Sequence, residues 1–161
     1  MGDTYAAIMT EVPQLPPSLL GITAFLLAKV GLAGRRRMGE RLRGHGIGLW
    51  DLAVLAALAD FGPASQRELG ERLGIDQSDL VAVMDVLVPL ELVERTRDAA
   101  DRRRYRVAVT PAGRATLAAA TTEATGVRDE VLSALDEQER ALLHALVRKA
   151  YAGLDPRARE G

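Results

Sequence analysis

The sequence predicts a mainly α-helical chain with one small β-hairpin, an α+β fold. Three observations carry that prediction. Residues 92–113, LVERTRDAADRRRYRVAVTPAG, hold two short strand-like runs around an arginine-loaded tip, followed by a helix start. Residues 65–88 hold a capping box, a glycine turn and a second amphipathic helix. Long stretches with helical periodicity lie on both sides of these two features.

Taken in order, residues 1–17, with Pro13, Pro16 and Pro17, form an irregular arm. From Ser18 to Arg43 the residues Leu19, Ile22, Phe25, Leu26, Lys29 and Val30 follow helical spacing, and the segment then turns basic at Arg35, Arg36, Arg37, Arg41 and Arg43. That arginine run reads as a solvated helix end, where cations suit the dipole. Gly44, Gly46 and Gly48 close it, and Leu49 to Phe61 is apolar around most of its circumference, as a central buried helix is. Gly62-Pro63 stops it.

Ser65-Gln66-Arg67-Glu68 opens a helix to Leu73, Gly74-Ile75 makes the turn, and Asp76 is expected to cap a helix from Gln77 to Val88. Leu80, Val83, Met84 and Leu87 are its buried face. The hairpin follows, with Tyr105 expected to pack at its base, and Thr110-Pro111 caps a long alanine-rich helix to about Leu135, with Gly126 as a break. Asp136 to Glu139 caps the last helix, which carries Leu142, Leu143, Leu146, Val147 and Tyr151. A helix-turn-helix followed by a hairpin is a winged helix-turn-helix. The domain division is therefore an arm and first helix over 1–47, the winged domain over 48–112, and C-terminal helices over 113–161.

Bulk composition narrows function. With 48% hydrophobic and 27% charged residues, the 161-residue chain is ordinary for a globular protein. Net charge is −1, but 19 of the 21 basic residues are arginine and they cluster. Between residues 94 and 106 six arginines face three acids, an excess that suits a phosphate backbone. A solvated hairpin whose arginines pair with Asp98 and Asp101 is the plainer alternative. There is no cysteine, so thiol and disulfide chemistry are excluded. His45 and His144 lie far apart, and no histidine–nucleophile pair or phosphate loop occurs, so no enzyme, metal or cofactor is expected. The longest apolar stretch, Leu19 to Gly34, contains Lys29 and three glycines, too short and interrupted for a membrane span. No signal peptide is expected, and the cytoplasm is the expected compartment.

The Asp98-Ala99-Ala100-Asp101-Arg102-Arg103 wing, the Thr110-Pro111-Ala112-Gly113 helix start and the upstream Glu-Leu-Gly-Glu-Arg-Leu-Gly-Ile turn together resemble the MarR family of bacterial transcriptional regulators, over roughly residues 18–154. The resemblance implies a homodimer joined through its first and last helices, two winged domains in successive major grooves of a pseudo-palindromic operator on double-stranded DNA, and repression relieved by a small-molecule effector bound between the domains. It places Arg102 and Arg103 in the minor groove. The apolar surface of the first and last helices independently calls for a second copy.

The expected DNA-binding residues are Ser65, Gln66, Arg67, Gln77, Ser78, Val81, Ala82, Arg97, Arg102, Arg103 and Arg104, with Asp98 and Asp101 shaping the wing. Gln77 can read an adenine edge, Ser78 a base or phosphate, and Val81 or Ala82 a thymine methyl. Asp76 to Glu91 holds four acids and no lysine or arginine, so phosphate charge must come from the wing, Arg67, Arg72 and the run at 35–37. That acidity sustains a second reading: a dimeric winged-helix protein with weak or lost specific DNA binding, acting through protein partners or ligand sequestration. His45 and Trp50 are the candidate effector contacts, with a turn role for His45 and a core role for Trp50 as the plainer readings. His144 is expected on the surface or at the dimer interface.

Overall fold

A computed structural model describes residues 15–98 and 105–154. Pro17 starts a short helix, α1 (Pro17–Leu20), in the position where its missing N–H costs nothing. The single helix expected from Ser18 is in fact two. Gly21 caps α1, and Ile22 adopts an extended backbone before α2 (Thr23–Arg43) begins. Helix α2 runs through Gly31, Gly34 and Gly39 without interruption. Arg35 to Arg37 therefore lie within the helix and not at its end. Arg36 and Arg37 pair with Glu40 of the same helix, and Arg37 reaches Glu130 at 4.0 Å.

Helix α3 (Leu49–Phe61) is the central element, because its apolar sequence allows burial on several sides. Val54, Leu55, Ala57 and Leu58 are all buried, as are Leu42 of α2 and Ala120 of the helix opposite. Each fully buried leucine contributes on the order of 1.5–3 kcal/mol of burial free energy. Helices α4 (Gln66–Leu73) and α5 (Gln77–Leu87) form the helix-turn-helix, with Leu69, Leu80, Val83, Met84 and Leu87 closing onto α3.

Strands β1 (Val93–Arg97) and β2 (Tyr105–Val109) pair antiparallel from Val93↔Val109 to Arg97↔Tyr105. Val93 and Val107 are buried, while Glu94 and Arg95, on opposite faces of β1, are both exposed. Ala64 adds a bridge to Val107, the two residues exchanging backbone hydrogen bonds of 3.1 and 2.8 Å.

Helix α6 (Pro111–Val131) continues through Gly126 and stops at Val131, four residues short of the expected end. Its cap is Thr110, whose hydroxyl accepts the Gly113 amide at 3.0 Å. Helix α7 (Glu137–Leu154) opens on a reciprocal box in which Asp136 and Glu139 each accept the other's amide at 2.9 Å. Helix α6 lies along α2, joined by Glu130 to Arg41 and by Glu123 to His45. None of the residues of helix α7 is fully buried, and Leu142, Leu146, Val147, Tyr151 and Leu154 are all exposed. Among the described residues no helix is long and apolar enough to cross a membrane.

Candidate nucleic-acid interface

The helix-turn-helix is built by local chemistry. The Glu68 amide donates to Ser65 Oγ at 3.2 Å and the Ser65 amide donates to Glu68 Oε2 at 2.7 Å, so two otherwise orphaned donors are satisfied. The hydrogen bonds from Ser65 hold the Glu68 carboxyl below the usual glutamate range, and Arg106 and Arg72 add to that. Gly74 takes the left-handed conformation, φ 64°, that turns the chain between the helices. Gly70 supports the same turn, since a Cβ there would sit 3.0 Å from the Ile75 carbonyl oxygen. Asp76 occupies the N-cap backbone position of α5 but makes no side-chain cap bond; its carboxylate instead accepts the Ser78 hydroxyl at 3.2 Å.

Burial of Leu80, Val83, Met84 and Leu87 orients α5. Gln77, Ser78 and Val81 are exposed at its start, with Asp85 one turn on. Ala82 and Asp79 line a cleft between α5 and α2, and Glu91 lies past the helix end at φ 56°. The four acids are thus spread over different surfaces and do not share one face.

Gln66 stands at the start of α4 and, with Arg95 and Tyr105, lines a small recess of about 170 Å³ between that helix and the hairpin. Arg67 is exposed and bonded to Glu71 at 2.8 Å, which stabilises its charged form. Arg72 stacks on the Phe61 ring at 4.6 Å. On the hairpin, Arg95 and Arg97 are exposed, and Arg97 lies 5.7 Å from the centre of the Tyr105 ring. Tyr105 was expected to pack at the base of the hairpin; it is 56% exposed because it stands at the far end of β2, where Arg97 is its partner. Asp98 pairs with Arg106 at 3.5 Å. Asp101, Arg102, Arg103 and Arg104 lie outside the described residues.

The cleft behind α5 has a volume of about 310 Å³ and is lined by Arg35, Trp50, Asp51, Asp79, Ala82 and Val86, among others. Trp50 does not join the core. It is 40% exposed, because Leu52, Val54 and Leu55 supply the inward faces of α3 and leave position 50 toward the cleft. Asp51 is buried, its Oδ2 accepting the Gly48 amide at 2.7 Å, and burial pushes its carboxyl up while that bond pulls it back in part. His45 does not line the cleft; its Nε2 lies 3.1 Å from Glu123 Oε1. His144 lines a second groove of about 390 Å³, mostly apolar, between α2, α6 and α7, with Leu27, Val30, Val127, Leu143 and Val147. Among the described residues no group of three or more histidines and carboxylates is placed to hold a metal.

Sequence reasoning missed three of these contributors. Arg35 and Asp79 reach the cleft from helices whose rotation periodicity leaves loosely fixed, and Arg106 was counted only as hairpin charge. Gly48-x-x-Asp51, at capping-box spacing, was a readable signal for the buried carboxylate.

A capped helix-turn-helix, a two-stranded hairpin and long flanking helices define a winged-helix protein. The model of the MarR family matches residues 45–104. The chain is 35% identical over 96 residues to the HTH-type transcriptional repressor NicR of Pseudomonas putida, an alignment covering 60% of this chain and 61% of NicR. It is 36% identical over 97 residues to the transcriptional regulator HosA of Escherichia coli, covering 60% of this chain and 72% of HosA. The chain belongs to the MarR family.

Solved structures agree with the fold. A probable transcriptional regulator from Pseudomonas aeruginosa superposes with TM-score 0.69 and 28% identity, over 82% of this chain and 98% of that one. A MarR variant from E. coli complexed with operator DNA gives 0.65 and 25%, over 78% and 90%. Bordetella bronchiseptica BpsR, whose DNA binding is regulated by 6-hydroxynicotinic acid, gives 0.67 and 26%, over 80% and 92%.

Proposed function

We propose that this chain is a DNA-binding transcriptional regulator, a homodimeric repressor of pseudo-palindromic operators that a small molecule releases. The observation that carries the reading is the exposed Gln77, Ser78 and Val81 at the start of α5, the second helix of a helix-turn-helix whose first helix carries the exposed Arg67 and which an arginine-bearing hairpin follows. Residues 48–112 act as the DNA-binding unit, while 1–47 and 113–161 supply the dimer. The unburied apolar residues of α7 and the groove beside His144 are the surfaces a second copy covers. Operator binding by the MarR neighbour and effector control of BpsR support the two halves of the proposal. The cleft at Trp50 joins a dimerisation helix to α5, so an occupant there bears on both. The protein acts by binding and not by catalysis, and the cytoplasm is where such a regulator meets its DNA.

Base readout by α5 is weak in this proposal, and the hairpin arginines, Arg102 and Arg103 above all, dominate affinity. Fluorescence anisotropy with duplex from the protein's own upstream region tests it. Specific binding should exceed binding to unrelated duplex by about 1000-fold and weaken steeply with salt. Arg103→Ala should cost more affinity than Gln77→Ala, and equal losses would contradict the division of labour. A flat, weak salt response would favour the second reading, a winged-helix dimer working through protein partners or ligand sequestration, which the acids of residues 76–91 motivate.

A further inference from the structure

Arg106 does something different from the other hairpin arginines. It sits on β2 beside Val107, yet its guanidinium turns back toward the helix-turn-helix and touches three separate parts of the fold. One terminal nitrogen donates to the Pro63 carbonyl at 2.7 Å, in the segment after α3. The same nitrogen lies 3.5 Å from Glu68 Oε2, the carboxylate of the α4 capping box. The other reaches Asp98 Oδ2 at 3.5 Å, just beyond the end of β1. Its Nε is buried with no hydrogen-bond partner among the described residues.

We propose that Arg106 is a positioning residue that clamps the outer half of the hairpin to the helix-turn-helix, fixing the angle at which the wing meets DNA. The inference rests on the DNA-binding reading above. The Ala64–Val107 bridge and the burial of Val93 and Val107 secure only the inner half of the hairpin. Among the described residues the outer half carries no buried apolar side chain, since Arg97 and Tyr105 are exposed; Asp98, through Arg106, ties it to Pro63 and Glu68. The fork of a guanidinium can serve three oxygens at once in a fixed plane, which a lysine ammonium on a flexible stem cannot.

The orphaned Nε and the partly exposed pairs mean that the arrangement adds little to stability, since such pairs are worth little and a buried unpaired donor opposes folding. This separates positioning from general support. Arg106→Met should melt within about 3 °C of the wild type, in keeping with a small stability change, and remain dimeric. Backbone amides of Arg97 and Tyr105 should exchange hydrogen faster. Operator affinity should fall by about tenfold, the scale of ordering a few side chains on binding. Its salt slope should become shallower by about one unit or more, as phosphate contacts by the wing are lost. Arg106→Lys, which keeps the charge but not the fork, should fall between the two in affinity and exchange.

If the wild type binds DNA and Arg106→Met binds with unchanged affinity and slope, the proposal is overturned. Lost affinity with unchanged exchange also overturns it, because that pattern belongs to a direct contact. Should the wild type bind no duplex specifically, the regulator reading falls, and the exchange rates alone decide whether Arg106 holds the hairpin.

Discussion

Gly113 packs beneath the carbonyl of Leu92 so closely that a Cβ at position 113 would overlap the Leu92 oxygen and lie 2.9 Å from Val109 Cγ2. The approach is enforced from both sides. The Thr110 amide donates to Leu92 O at 3.1 Å, and the Thr110 hydroxyl donates to Glu91 O at 2.7 Å while accepting from Gly113. The start of β1, the end of β2 and the first turn of α6 therefore meet at one glycine.

Gly113→Ala should destabilise the protein by about 3 kcal/mol, the upper end of ordinary overpacking, because the clash is with backbone and not with a movable side chain. Urea denaturation at fixed protein concentration measures it. A midpoint equal to that of the wild type would mean that α6 can shift without cost.

Helix α7 is expected to be an interface. Leu142, Leu146 and Tyr151 are 60%, 54% and 71% exposed on a helix none of whose residues is fully buried within its own chain. The wild type should run in light scattering at twice the 17.3 kDa chain mass. The double substitution Leu142→Glu with Leu146→Glu should yield monomer, and an intact dimer would place the interface elsewhere.

Trp50 is the only tryptophan of the chain and lines the cleft behind α5. An effector that works from this cleft should change Trp50 emission in step with release of DNA. A titration with 6-hydroxynicotinic acid, corrected for its absorbance, is the first probe. Release of DNA by any small molecule with no change at Trp50 would move the effector site away from the cleft.

Asp51 has a folded-state value above its unfolded one, which lies near 3.9, so its contribution to stability is present at low pH and lost as pH rises through the folded value. Asp51→Asn keeps an oxygen for the Gly48 amide and removes the charge. Stability of the variant relative to wild type should therefore rise with pH from the unfolded-state value of about 3.9 upward and level off above the raised folded-state value. Parallel pH profiles of the two proteins would show that Asp51 is well solvated when ionised.

Much of the fold was legible in the sequence because local chemistry decides it. The bounds of α3 and α4, the Ser65–Glu68 box, the left-handed Gly74 and the return strand Tyr105–Val109 follow from caps, periodicity and glycine, which act over a few residues. Where the decision is tertiary, local spacing does not determine the outcome. The break at Gly21-Ile22 and the stop of α6 at Val131 depend on how helices pack, and Gly126 is tolerated in a helix supported along its length by α2. Exposure of Trp50 could not be read, since an aromatic beside a buried helix turns inward or outward with the rotation of that helix. The partners of Arg106 lie 8, 38 and 43 positions away, beyond the reach of spacing arguments.

The Ala64–Val107 bridge gives the middle of β2 a neighbour on each side, and among the described residues β1 is left as an open edge of the sheet. Open edges invite pairing with other chains, and natural proteins guard them with charge. Glu94, Arg95 and Arg97 put three charges along that edge. These charges therefore keep the protein from sticking to itself: replacing Arg95 and Arg97 together by threonine should promote aggregation through β1.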